Sequence, residues 1–372
     1  MLQFFLVSSY FFGSEDLGGF SDILSFFRPL MLLVIVLSMV VLTEELTQTY
    51  DALIGVTKLI VSCVFLYSLL EVFFFDIFSS LMFLFYRMED KVNIDGISVS
   101  FFTLPYYGAY ILCMLLPLTF SNYALTKNKA ALFYIFACFG SIVLTQSKMG
   151  VFLSFGVLFI YAFLSSSFNK KIIVIIISLL FFGILGYFLV DFVSYLNKEV
   201  GGNFARTLHL ILTNTEQAHN LNERLEDITG TYSKIIEHNP YVGVGLGKGQ
   251  TIEIWIGTIL YRYGFPGLIL FILYFLFIGM AATLKLGRLK HGRPKEAELA
   301  KTVAIWAFTI FISQLSGFMM EMSKAAVFSM MMLALSARIL FGCQLSAFNQ
   351  NINFSSMKQY VKEDRRNNYC QD

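Results

Sequence analysis

Nine apolar runs, each about the length of a membrane crossing, follow one another along this chain of 372 residues. A helical crossing of roughly 30 Å of hydrocarbon takes about 20 mostly apolar residues. The runs fall at 23–42, 52–75, 101–122, 130–145, 151–166, 172–190, 265–284, 302–320 and 325–341. In lipid every backbone N–H and C=O must find its partner within the protein, so runs of this length fold as helices. The expected fold is an all-α, polytopic membrane protein. A further apolar stretch at 1–12 lacks a basic start and an A-x-A exit, so it is a short tenth span or an interfacial piece, not a cleaved signal.

Composition agrees with lipid as the solvent. Charged residues make up 14% of the chain, against about 25% in soluble domains. Of the five cysteines, Cys63, Cys113 and Cys138 lie in apolar runs, and Cys343 and Cys370 lie near the C-terminus. No C-x-x-C or Cys/His spacing marks a metal site. Neither a metal, a cofactor nor a nucleic-acid partner is expected.

Lysine and arginine in the short links set the orientation. Lys127 and Lys129 share one link, and Lys170 and Lys171 another. Lys285, Arg288, Lys290, Arg293, Lys295 and Lys301 share a third, and Lys358, Lys362, Arg365 and Arg366 lie in the tail. Alternating the spans places all four groups on the cytoplasmic side. The opposite side then receives 87–98, the single Lys148, the long polar stretch 191–250 and the turn 320–324. The organisation is N-terminal helices over 1–190, an outer loop with amphipathic helices over 191–264, C-terminal helices over 265–342 and a cytoplasmic tail over 343–372.

Within the outer loop, Leu225, Ile228, Tyr232, Ile235 and Ile236 recur at helical spacing. Asn222 is a suitable N-cap, and Glu223, Glu226 and Asp227 load the first turn with the charge the helix dipole favours. Pro240 ends this helix. An earlier amphipathic piece spans 204–212, and both pieces suit a membrane surface. After Pro240 come Gly243, Gly245, Gly247 and Gly249 at alternate positions. Such spacing permits tight bends and an anion-binding nest of N–H groups. Alone, it fits a turn leading back into the membrane better than a nucleotide cradle. Among ionisable residues in the spans, Lys58 and Asp76 lie near span ends, and Glu71 calls for a buried partner.

Three motifs occur in order: Thr145-Gln146-Ser147-Lys148-Met149-Gly150; Asn222-Glu223-Arg224 with Pro240-x-x-Gly243-x-Gly245-x-Gly247; and Tyr261-Arg262-Tyr263-Gly264-Phe265-Pro266-Gly267. Together they resemble the outer-face motifs of the O-antigen polymerase (Wzy) and O-antigen ligase superfamily, over roughly 141–270. The resemblance implies a GT-C-like fold of about ten spans in the bacterial inner membrane. It also implies inverting, metal-independent glycosyl transfer at the periplasmic face, with an undecaprenyl-diphosphate-linked oligosaccharide as donor and a chain-length regulator protein as partner. Two departures matter. Lys148 stands where the family has arginine, and Glu253 stands eleven residues before Gly264, where the ligase branch places a His-Asn pair. The ligase base is missing, so the resemblance favours the polymerase branch.

The chemistry requires cations for a diphosphate leaving group and a base for the acceptor hydroxyl. Lys148, Arg224 and Arg262 are the candidate cations. Lysine offers a point charge where arginine offers a fork, and Arg262 equally fits a residue snorkelling from a span end. Glu253 is one candidate base, placed where the chain re-enters the membrane and partial desolvation strengthens a carboxylate base. His238 is the other, its imidazole titrating near neutrality. On one unbroken helix, Arg224 and His238 lie about 21 Å apart at 1.5 Å per residue, so only a break at Gly230 brings both to one diphosphate. The rival readings are an O-antigen ligase, and a lipid-linked oligosaccharide flippase or transporter. The internal repeats typical of transporters do not occur.

Overall fold

A computed structural model describes residues 33–38, 40, 45–75, 97–102, 104–199, 209, 219–243, 254–289, 292–316 and 325–341. Among these residues the regular structure is helical, with no strand. The main helices are α1 (Leu46–Phe73), α2 (Pro105–Thr126), α3 (Lys129–Leu144), α4 (Lys148–Ser165), α5 (Phe168–Glu199), α6 (His219–His238), α7 (Trp255–Leu289), α8 (Pro294–Ser313) and α9 (Ala325–Phe341). Helices α1, α2, α4 and α7 are long and apolar enough to cross a membrane, and α3 and α9 are shorter apolar helices.

Local chemistry fixes where the chain turns. Pro105 and Pro294 occupy first turns, where the missing N–H costs nothing and the fixed φ suits a helix. Lys127 adopts a left-handed conformation (φ 54°) to end α2. Asn128 then starts α3, its side chain accepting from the Ala130 N–H at 2.9 Å.

Helix α2 is the centre of the bundle. Of its most apolar stretch 78% is buried, against 28% for each of α1, α4 and α7. It packs against α1, α3, α4 and α8, and Leu112, Leu116 and Leu118 are sealed within the core. The outward faces are apolar: Leu59, Phe136 and Leu284 are 66%, 71% and 72% exposed. An exterior this apolar, on helices long enough to cross a membrane, suits a lipid surround.

One end of the bundle is tied by polar contacts. Tyr50 Oη lies 2.7 Å from Ser121 Oγ, Lys295 Nζ lies 2.6 Å from Asp51, and Tyr161 Oη donates to Glu298 at 3.1 Å. The starts of α1 and α8 therefore meet the ends of α2 and α4. Three of the basic links, those of Lys127 and Lys129, of Lys170 and Lys171, and of Lys295, come to this shared end.

Several boundaries differ from expectation. Helix α5 runs on to Glu199, nine residues past 190, because polar residues outside lipid continue a helix as readily as apolar ones. Helix α8 begins at Pro294, eight residues before 302. Lys301, expected among the basic residues of a link, is buried: its Nζ is 2.6 Å from Glu298 Oε1 and 4.5 Å from the Tyr161 ring centre. Helix α6 begins at His219, so Asn222 is interior and not the cap, and Glu223, Glu226 and Asp227 lie beyond the first turn. The expected pieces at 1–12 and 204–212 and most of 23–42 lie outside the described residues, with His209 alone described in 204–212.

Candidate functional site

The Thr145–Gly150 corner is a helix stop followed at once by a helix start. Thr145 caps α3, its hydroxyl donating to the Ile142 carbonyl at 2.6 Å and accepting from the Ser147 N–H at 3.2 Å. Gln146 takes the left-handed conformation that reverses the chain (φ 49°). The Ser147 side chain then accepts from the Gly150 N–H at 3.2 Å, which starts α4 and puts Lys148 in its first position. Lys148 is half-buried there. Directly below, a Cβ on Gly150 would lie 2.5 Å from Ala109 Cβ, so α2 and α4 approach as closely as only glycine permits.

Helix α7 is folded back on itself. Gly264 has φ 64° and ψ −170°, outside helical space, and Pro266 follows it. The Trp255 ring lies 5.3 Å from that of Phe271 and 5.6 Å from that of Phe311. An unbroken helix would hold Trp255 and Phe271 about 24 Å apart. The segment Trp255–Tyr263 therefore doubles back beside the segment that follows Gly264. Ile254, Trp255, Ile259 and Tyr263 form a buried cluster against Phe271, Phe311 and Leu315. The span expected at 265–284 is thus preceded by a buried helical arm, which 191–264 assigns to the outer loop.

Helix α6 lies on this arm. Thr231 and Ile235 are fully buried, Ile235 against Leu260 and Tyr261, and Ile228 packs on the Ile254 cluster. Tyr232 and Ile236 were expected on the same face but are 48% and 51% exposed. The expected Ile228 and Ile235 do pack, and the buried residue between them is Thr231, where the apolar pattern has Tyr232. Tyr232 touches the arm only edge-on, its ring 6.1 Å from Phe265.

The loop after α6 closes on the fold of α7. The Asn239 side chain accepts from the Tyr241 and Val242 N–H groups at 3.0 and 3.2 Å, making the turn at Pro240. The Pro240 carbonyl accepts from the Phe265 N–H at 3.0 Å. Gly243 (φ 83°) lies against the backbone of Tyr261, Arg262 and Gly264. The second and third motifs are therefore in backbone contact.

Of the site residues, Gly243 and Arg262 are brought together, and Arg262 sits half-buried between the buried Tyr261 and Tyr263. Arg224 lies on α6, one turn before Ile228, and His238 is the last residue of that helix. Helix α6 passes through Gly230 without a break, so the two stay at opposite ends of it. Glu253, Gly245 and Gly247 lie outside the described residues, with Glu253 next in sequence to the buried Ile254.

The Lys148 corner reaches this group through the end of α8. A narrow crevice lined by Tyr106, Ser147, Met149 and Ser313 separates the Lys148 corner from the end of α8. Two residues on, Leu315 packs against the Ile254 cluster. The end of α8 and the 3-10 turn Gln314–Ser316 that follows it, here called the α8 turn, are thus the shared wall of both halves. Sequence reasoning missed this turn and the buried Gln314 within it. A glutamine amid an apolar run was the available signal.

No known protein family, curated protein or solved structure matches this chain.

Proposed function

We propose that this protein is an O-antigen polymerase, or a polymerase of a related surface polysaccharide, that joins undecaprenyl-diphosphate-linked repeat units at the outer face of the bacterial inner membrane. In this reading the chain has about ten spans and a GT-C-like arrangement, and the end bearing Lys295 is cytoplasmic. The observation that carries it is the gathering of the resembling motifs at one end of the bundle: the corner beside Lys148 meets α8 at Ser313, and the arm that bears Arg262 and the Gly243–Gly264 contact meets Leu315 two residues on.

The residues divide the work as follows. Lys148, Arg224 and Arg262 supply positive charge to the diphosphate, whose negative charge grows as the sugar–phosphate bond breaks. The acceptor sugar hydroxyl attacks the anomeric carbon from the opposite face, so the configuration inverts. Its proton passes to the base, and polyprenyl diphosphate leaves. Glu253 is the preferred base. The unbroken α6 puts His238 about 21 Å from Arg224, too far for both to serve one diphosphate.

The genetic test is the surface glycan of a deletion strain. Single capped repeat units are expected, and complementation restores the ladder. Complete loss of attached glycan would instead indicate a ligase, and an unaltered ladder would remove the protein from this pathway.

A further inference from the structure

We infer that Glu71 is a positioning residue that sets the Lys148 corner, an inference that rests on the polymerase reading for its effect on turnover. Glu71 lies near the end of α1, 1% exposed. Its Oε2 accepts from Ser98 Oγ at 3.0 Å, from the Val99 N–H at 2.9 Å and from the Ser100 N–H at 2.7 Å. Ser100 is left-handed (φ 52°), so the consecutive N–H groups curve round the oxygen as an anion nest. Ser68 Oγ, one turn earlier on α1, lies 2.8 Å from Ser98 Oγ.

This carboxylate holds the stretch 97–102. Ile97, Ser98, Val99, Ser100 and Phe102 are all buried. The stretch reaches the corner by two routes. The Ser98 N–H donates to the Leu144 carbonyl at 2.9 Å, the last residue of α3 and four before Lys148. Phe102 closes over Gly108, where a Cβ would lie 2.7 Å from its ring, and the next residue, Ala109, abuts Gly150, two after Lys148. A buried carboxylate is costly unless fully hydrogen-bonded. An apolar side chain would fill the space, but it would leave the Val99 and Ser100 N–H groups without this acceptor. The placement makes sense if the seating of 97–102 matters, because that stretch braces the end of α3 through Leu144 and the start of α4 through Gly108 and Ala109.

Two readouts separate the role of Glu71 from the polymerase reading. The first needs no activity. A cysteine placed at Lys148→Cys is labelled by a membrane-impermeant maleimide, with Tyr241→Cys as a second outer site. Glu71→Asp withdraws the carboxylate by one methylene, and it should change the labelling rate at 148 by about threefold or more through local opening of the corner, leaving 241 unaffected. The second is turnover of purified, monodisperse protein on polyprenyl-diphosphate-linked repeat units. Glu71→Asp should lower kcat about tenfold with KM little changed, since small misplacement of a charge costs transition-state stabilisation most. Glu71→Gln keeps an oxygen in the nest and should restore both readouts. Unchanged labelling at 148 in Glu71→Asp overturns the inference, as does wild-type kcat per folded molecule. If the wild-type protein itself does not extend glycan, the polymerase reading fails while the labelling result still judges the corner.

Discussion

Gly243 and Gly264 meet at one joint where neither has room for a side chain. Both are left-handed, and a Cβ on Gly243 would lie 2.5 Å from the Tyr261 carbonyl and 2.9 Å from Gly264 N. A Cβ on Gly264 would lie 2.6 Å from the Pro240 carbonyl. The P-x-x-G turn after α6 and the G-x-x-G fold of α7 therefore form one backbone-to-backbone joint, closed by the Phe265 N–H on the Pro240 carbonyl. The glycines act first as a hinge lock, and any anion-binding role belongs to the joint as a whole.

Alanine at either glycine should open this joint. These positive-φ conformations alone cost an L-residue about 1–3 kcal/mol, and backbone oxygens cannot move aside as a flexible side chain can. Gly243→Ala and Gly264→Ala are expected to reach the membrane at normal levels, lose polymer, and become sensitive to protease added at the outer face. Wild-type protease resistance in both variants would remove the joint from the account.

Gly230 provides the opposite case. It lies inside α6 with no atom within 4 Å of the place an added methyl group would take, and its conformation is helical. Gly230→Ala should stabilise α6 by about 0.5–1 kcal/mol and leave the polymer ladder intact. Loss of the ladder would mean that α6 has to bend at Gly230, which would bring His238 back as a base.

The fold of α7 can be tested by distance. Trp255→Cys with Phe271→Cys should be bridged by a short bifunctional thiol reagent, since the native rings lie 5.3 Å apart. A straight helix would keep these positions about 24 Å apart and give no bridge.

At the other end of the bundle, the Glu298–Lys301 pair is buried and Lys295–Asp51 is exposed. Glu298→Gln leaves a buried ammonium without its carboxylate, and a loss of about 3–5 kcal/mol is expected. Asp51→Asn should cost no more than about 1 kcal/mol. Thermal unfolding in detergent separates the two. Equal effects would show that Glu298 and Lys301 are as hydrated as the exposed pair.

Hydropathy made the helices legible but not their ends. It reports which residues tolerate lipid, so it stops at Asp191 and starts at Thr302, while the hydrogen-bonded helices run to Glu199 and from Pro294. The doubling-back at Gly264 was invisible because residues on both sides are equally apolar, and only the Gly264-Phe265-Pro266-Gly267 run marked it. On α6, periodicity found the helix and the packed Ile228 and Ile235, but a hydropathy pattern cannot show that Thr231 is buried while Tyr232 and Ile236 are exposed. The candidate site was legible only as motifs along the chain. Their meeting across the α8 turn depends on packing between residues far apart in sequence, and no local pattern carries that.

Glycan polymerisation by this chain alone is tested most directly by reconstitution. Purified protein in lipid, given only polyprenyl-diphosphate-linked repeat units, should produce a ladder of lengthening glycans, and Lys148→Ala and Arg224→Ala should abolish it while remaining folded. No elongation by the wild-type protein, or an undiminished ladder from both variants, would contradict the account.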